Sequence, residues 1–280
     1  VFPDDYAHAC YHYGRMLRRK DNHVEAMKVF IEATHSRTRD YHILGRIYSN
    51  IAEMCHLAGE YQLSYDMFAK CADCFLQNGD TISYYYGLNE MAFELAEQGK
   101  KEETLVLLDS IARNCNDKNV ILKTWETKAV ACKKVQEYDS TIYYTSLAFK
   151  HGYYAPIILM NRAQAYSLLG KKDSAVYYAN ILLENFSDLY NQCNALYILT
   201  NDDESQNTKG IRKIAAGRAD IQKLIENRKG KLTSAVQLLE QDLTRNPNLW
   251  WLYSIILTLT ITGICIVIYI FITQIKPMFS

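Results

Sequence analysis

A small side chain recurs along this chain among apolar neighbours at helical spacing. It falls at Gly14, Ala52, Ala92, Ala129 and Ala163, at intervals of 38, 40, 37 and 34 residues. Twelve residues after each comes a second small residue: Ala26, Ser64, Thr104, Thr141 and Ala175. A turn fits between the members of each couple, so the pattern predicts five helix pairs. Where two helices cross, only short side chains let the axes approach, and ridge-into-groove packing demands a small residue on each partner at constant offset.

Beyond the fifth pair the pattern decays. Leu189 to Leu199, with Ala195, reads as another first helix. Ile211, Ile214, Ala215, Leu224 and Ile225 place an apolar face on a long helix ending near Lys229, and Leu232, Val236, Leu239 and Leu243 continue that spacing to Arg245. This segment, 188–245, is expected to cap and couple the array, because a terminal repeat otherwise exposes its apolar face. Asn246-Pro247-Asn248 interrupts the helix. Residues 249–272 then carry no charge and are long enough, at 1.5 Å per residue, to cross a hydrocarbon core of about 30 Å. Trp250, Trp251 and Tyr253 at one end, with Tyr269 and Phe271 at the other, fit interfacial aromatic belts. A transmembrane helix followed by a short tail, 273–280, is the expectation, with a buried soluble helix as its competitor.

Composition narrows the fold class. Twelve glycines and four prolines in 280 residues are too few for a sandwich or barrel of many short strands, which leaves helices. Lys plus Arg equals Asp plus Glu, 31 against 31, so no global field favours a nucleic-acid partner, and disorder is disfavoured. The expected fold is all-α: an α-solenoid of about five to six helix pairs over 1–187, a long capping helix and one transmembrane helix.

The paired small residues are accompanied by further features that resemble the tetratricopeptide repeat (TPR) family, whose repeat is 34 residues. Trp125 and Leu159 stand near the start of first helices, and Leu17, Leu95 and Tyr166 one turn after the small site. Gly59, Gly99 and Gly170 lie in turns, Tyr61 and Tyr138 follow turns, and Phe30 and Phe68 stand in second helices with Ala33 and Ala148 behind. The chain departs from the family in that no proline closes a repeat and most intervals exceed 34. Connections such as Gln77-Asn78-Gly79-Asp80 should therefore perturb a regular superhelix. The order repeats, long helix, single span further resembles membrane-anchored TPR regulators of the Bacteroides type, whose LuxR-type DNA-binding part is absent from this chain.

What the TPR resemblance implies is a protein or peptide ligand on the concave face formed by first helices. Mapped residue by residue, the likeness implicates Tyr11, Arg15, Asn89, Phe93 and Asn161 as ligand-binding, with Ser49, Asn50, Glu53, Glu90 and Glu126 among their neighbours. The lysine and asparagine pairs of the carboxylate-clamp subgroup are not reproduced, which disfavours chaperone tails. Arg15, Arg18, Arg19 and Lys20 form a local basic patch, for which a solvated face is the rival reading.

Candidate chemistry is sparse. Eight cysteines map mostly onto packing positions and behave as small hydrophobes, and the Cys71-x-x-Cys74 spacing lies inside a predicted helix without a second such pair. His8 and His12 share a helical face but make only two ligands, and the acidic run from Asp202 to Glu204 reads as a solvated helix start. Nothing resembles a metalloprotease helix, a nucleophile elbow or a phosphate-binding glycine loop. No catalytic residue, metal or cofactor, and no direct nucleic-acid contact, is expected.

The favoured reading is a membrane-anchored protein- or peptide-binding module, the sensing part of a bacterial regulator, single-pass in the inner membrane with periplasmic repeats and bilayer contact through 249–272. The alternative is a cytosolic tail-anchored TPR adaptor or assembly factor. Lys229, Lys231 and Arg245 before the span, against Lys276 alone after it, favour cytoplasmic repeats by the positive-inside rule.

Overall fold

A computed structural model describes residues 2–186, 189–202 and 208–244, and every element among them is an α-helix. The chain divides into two units, Val1–Val236 and Gln237–Ser280, and the paired helices all belong to the first. The pairs are α1 (Pro3–Arg19) with α2 (His23–Thr34), α3 (Tyr41–Ala58) with α4 (Tyr61–Gln77), α5 (Thr81–Glu97) with α6 (Lys101–Asn114), α7 (Lys118–Lys134) with α8 (Tyr138–Lys150), and α9 (Pro156–Leu168) with α10 (Lys172–Asn185). First helices also touch one another, α1 with α3, α5 with α7 and α7 with α9. Helix α11 (Leu189–Asp202) packs on α9 and α10, and α12 (Thr208–Thr244) is a single helix of 37 residues with no break near Lys229.

The crossing residues lie where the pattern requires. All ten small sites are buried, and Ser64 Oγ donates to the Ala52 carbonyl at 2.9 Å while Thr141 Oγ1 donates to the Ala129 carbonyl at 3.4 Å. The second helix thus touches the backbone of the first at the small site. At Gly14 the approach is tighter still: a Cβ there would stand 2.4 Å from the Phe30 ring. Phe30, Met27, Ile47, Ile51 and Met54 are wholly buried.

One geometry ends all five first helices. Seven residues after each small site, Asp21, Gly59, Gly99, Gln136 and Gly170 are left-handed, with φ of 60°, 93°, 76°, 64° and 70°. The next residue in each case donates its N–H to the carbonyl five positions back, at 2.9 to 3.0 Å, the bond that satisfies an orphan carbonyl at a helix end. First helices also begin by one of two devices. Pro3 and Pro156 open α1 and α9, where a missing N–H costs nothing. Asp40, Asp80 and Asp117 cap α3, α5 and α7, each carboxylate accepting from a first-turn N–H at about 3 Å.

The all-helical, repeat-like array is consistent with an α-solenoid, but the expected membrane helix is a correction. Among the described residues no helix is long and apolar enough to cross a membrane. Helix α12 has the length, yet Lys223, Glu226, Arg228, Lys229 and Lys231 crowd one short stretch of it, and burying such charges in hydrocarbon is prohibitive. The segment 249–272 on which the expectation rested lies outside the described residues. The single-pass inner-membrane location, with its periplasmic or cytoplasmic repeats and bilayer contact, is withdrawn with it. Nor is the apolar stripe of α12 continuous, since Leu224 is 53% exposed. The side chains of Ile211, Ile214 and Ala215 lie outside the described set.

Two substitutions test this register. Ala129→Leu should destabilise by about 1 to 3 kcal/mol, because the crossing has no room for three more carbons; an unchanged thermal midpoint would place the crossing elsewhere. Gln136→Gly should stabilise by up to about 1 kcal/mol in urea unfolding, since glycine relieves the left-handed strain that an exposed glutamine bears.

Candidate functional site

Among the described residues a cleft of about 640 Å³, more open than enclosed, lies where α1, α3 and α12 approach one another. Its lining is mostly polar and holds five arginines, Arg15, Arg18, Arg19, Arg46 and Arg228, against one carboxylate, Glu53. Tyr11 forms the floor. Its ring is only 4% exposed because two cations cover it, the Arg15 guanidinium 5.3 Å and the Arg46 guanidinium 5.2 Å from the ring centroid. Arg15 also donates to the Tyr11 hydroxyl at 3.1 Å. Attraction between a cation and a ring face holds such groups in place without consuming their charge.

The five cations are not equivalent. Arg18 donates to Asn50 Oδ1 at 2.5 Å and to Glu53 Oε2 at 2.8 Å, so its charge is met inside the cleft. Arg228 Nε lies 3.0 Å from Asp21 Oδ1, which also meets His23 Nε2 at 3.1 Å. Burial holds His23 below the usual histidine range, keeping it neutral there. Among the described residues Arg15 and Arg46 have no carboxylate partner. Their positive charge remains available to a ligand.

Farther along the array, some buried or half-buried cations and carboxylates are engaged by polar partners. Lys123 Nζ reaches Glu126 Oε1 at 2.6 Å and Glu90 Oε1 at 3.6 Å, and the Tyr153 hydroxyl donates to Glu126 Oε2 at 2.6 Å. Loss of water lifts the Glu90 carboxyl above its ordinary range. Lys133, brought down to about 8 by burial, donates to Gln164 Oε1 at 2.8 Å. His56 Nδ1 sits 3.0 Å from Glu94 Oε1, with Glu94 1% exposed. These contacts tie α3 to α5, α5 to α7 and α7 to α9.

The structure therefore splits the expected ligand set. Tyr11 and Arg15 line the cleft together with Ser49, Asn50 and Glu53. Asn89 does not: it is wholly buried between α5 and α7, donating to the Val120 carbonyl at 3.4 Å and accepting from Thr127 Oγ1 at 3.0 Å. Phe93 is half-buried against Ala96, Val130 and Ala131, with its ring centroid 5.5 Å from that of His56. Asn161 is wholly buried, and its amide has no partner among the described residues. Asn89 and Asn161 belong to the interior of the array, and the half-buried Phe93 does not line the cleft. Sequence reasoning missed Arg46 and Arg228; Arg46 was within reach, since it precedes Asn50 and Glu53 by one and two turns on the same helical face.

The remaining chemical candidates have structural roles. The side chains of six cysteines are described, all free and buried, and burial pushes the Cys71 thiol up to about 12 and the Cys74 thiol to about 11. His8 is engaged by Asp40 Oδ2 at 2.8 Å, whereas His12 lies edge-on to Tyr11. Among the described residues no group of three or more His, Cys, Asp or Glu is placed to hold a metal ion. Asp203 and Glu204 lie outside them. The tyrosine doublets divide as their 100° separation requires, Tyr177 being 60% exposed while Tyr178 stacks at 5.7 Å on Tyr166.

No protein-family model matches the chain, and no curated protein matches it.

The His56–Glu94 pair makes stability depend on pH. Burial disfavours the His56 cation, but the Glu94 carboxylate outweighs it, so the pKa of His56 is raised in the folded state. A raised pKa contributes stability in full below the unfolded value of about 6.5 and loses it as pH rises through the folded value. In urea unfolding above pH 6.5, wild type should lose more stability with rising pH than Glu94→Gln. Parallel pH profiles for the two proteins would exclude this pairing as the source.

Proposed function

We propose that this chain is a TPR-like adaptor or assembly factor that binds a segment of another protein in the cleft between α1 and α3. One observation carries the reading: Tyr11 is held on the cleft floor by Arg15 and Arg46, two arginines that have no carboxylate partner among the described residues. Stacked helix pairs present extended surfaces for protein partners, and partly buried tyrosine and arginine are the side chains that most often dominate such contacts. A cleft of this size accepts a few side chains and not a folded domain. The regulator reading depended on a membrane span and is set aside in favour of the adaptor.

A photoreactive residue at Ser49, in the cleft, compared with one at Val106, which is 70% exposed on the second helix α6, provides the test. With partner present, crosslinks should form at position 49 and be absent or weak at 106. Crosslinks confined to 106 would move the binding face to the second helices and defeat the proposal.

A further inference from the structure

The adaptor reading leaves the chemistry of the bound segment open, and the cleft's unmatched charge specifies it. We infer that the cleft takes an acidic peptide segment, with carboxylate side chains seated against Arg15 and Arg46 over Tyr11. The inference rests on the adaptor reading and narrows it.

Three observations converge. The cleft concentrates five arginines against one carboxylate, although the chain as a whole is balanced at 31 and 31. Glu53 is already taken by Arg18, and Asp21 by Arg228 and His23. Arg15 and Arg46 are fastened to one ring, so an incoming carboxylate meets guanidinium groups whose positions are already fixed, and little side-chain freedom is lost on binding. An extended peptide repeats its same-face side chains about every 7 Å, which lets successive acidic residues address neighbouring cations. Ser49 on the cleft wall supplies a neutral polar group for the backbone of such a segment.

A nucleic acid would also satisfy the charge, but the floor disfavours it. Single-stranded nucleic acids bind by stacking bases on exposed aromatic faces, and the Tyr11 ring is 4% exposed with both guanidinium groups against it. An apolar ligand is disfavoured by the polar lining. A carboxylate, whose planar pair of oxygens matches the guanidinium fork, suits both cations.

Fluorescence anisotropy of the full chain with a labelled twelve-residue peptide containing six glutamates is the direct test. Its neutral counterpart has glutamine at those six positions, and a twelve-nucleotide single-stranded DNA and inorganic phosphate serve as competitors. The acidic peptide should bind, weaken with rising salt, and exceed the glutamine peptide by at least about tenfold. Arg15→Gln and Arg46→Gln should each reduce its affinity about tenfold or more, whereas Arg113→Gln, which removes an exposed charge from α6, should change it less than about twofold. Arg46 is itself exposed, so its variant should keep the wild-type far-ultraviolet dichroism and thermal midpoint even if Arg15→Gln does not. Arg46→Lys should recover part of the loss.

Equal affinity for the two peptides, or no binding of the acidic one, would overturn the acidic preference while crosslinking at position 49 could still uphold the adaptor. DNA or phosphate displacing the acidic peptide at lower concentration than the peptide itself would also overturn it. Crosslinks confined to position 106 would bring down both readings.

Discussion

The close crossing of paired helices is the constraint on which the rest of the structure depends. At each crossing a glycine, alanine, serine or threonine faces its counterpart, and in two of the five a hydroxyl reaches directly to the backbone opposite. Larger side chains would separate the axes, and the left-handed turn seven residues later would no longer return the chain against its partner. First helices can therefore share one face only because each pair is closed tightly behind them. The cleft exists because α1 and α3 are neighbours on that face, and its arginines come from α1 (Arg15, Arg18, Arg19), α3 (Arg46) and α12 (Arg228).

The repeat register was legible because it is a local property: spacing, small residues and turn residues all lie within one helix pair. Asp21 and Gln136 obscured part of it, since neither residue type signals the left-handed conformation that glycine announces at the other three turns. The groove was harder to read. Periodicity assigns a residue to a face, but not the extent to which the next first helix covers that face. Tyr11, Asn89 and Glu126 hold the same register position, three residues before the small site, and all are 4% exposed or less. Asn89 spends its hydrogen bonds on α7, while Tyr11 spends its surface on two arginines. Arg228 was beyond reach, because only the fold brings a residue of α12 beside Asp21. Arg162 likewise gave no signal in sequence, yet it is 9% exposed, with its guanidinium 5.0 to 5.2 Å from the Phe149, Tyr166 and Tyr178 rings.

Equal numbers of acidic and basic residues conceal an uneven distribution. Lys101 meets Glu137, Lys123 meets Glu126, Lys128 meets Asp109 and Lys134 meets Glu97, each within 2.6 Å. Lys128–Asp109 ties α7 to α6 and Lys134–Glu97 ties α7 to α5, so those charges are used in holding the array together. Exposed pairs of this kind contribute little energy individually. They cancel charge locally, whereas the N-terminal cleft gathers five arginines against one carboxylate. A neutral protein can in this way attract an anion to one spot without repelling its own solvent counter-ions elsewhere.

Burial of the thiols has a practical consequence for anyone wishing to observe the array move. The thiolate is the reactive form, and each described cysteine is enclosed in the packing of a helix pair, with Cys71 and Cys74 further held in the protonated state at neutral pH. A cysteine introduced at an exposed site would react with maleimide dyes far ahead of these six. Fluorophore or spin-label pairs can then be attached across the first helices with those native residues left in place, and distances between repeats followed in solution while the packing that defines each repeat stays intact.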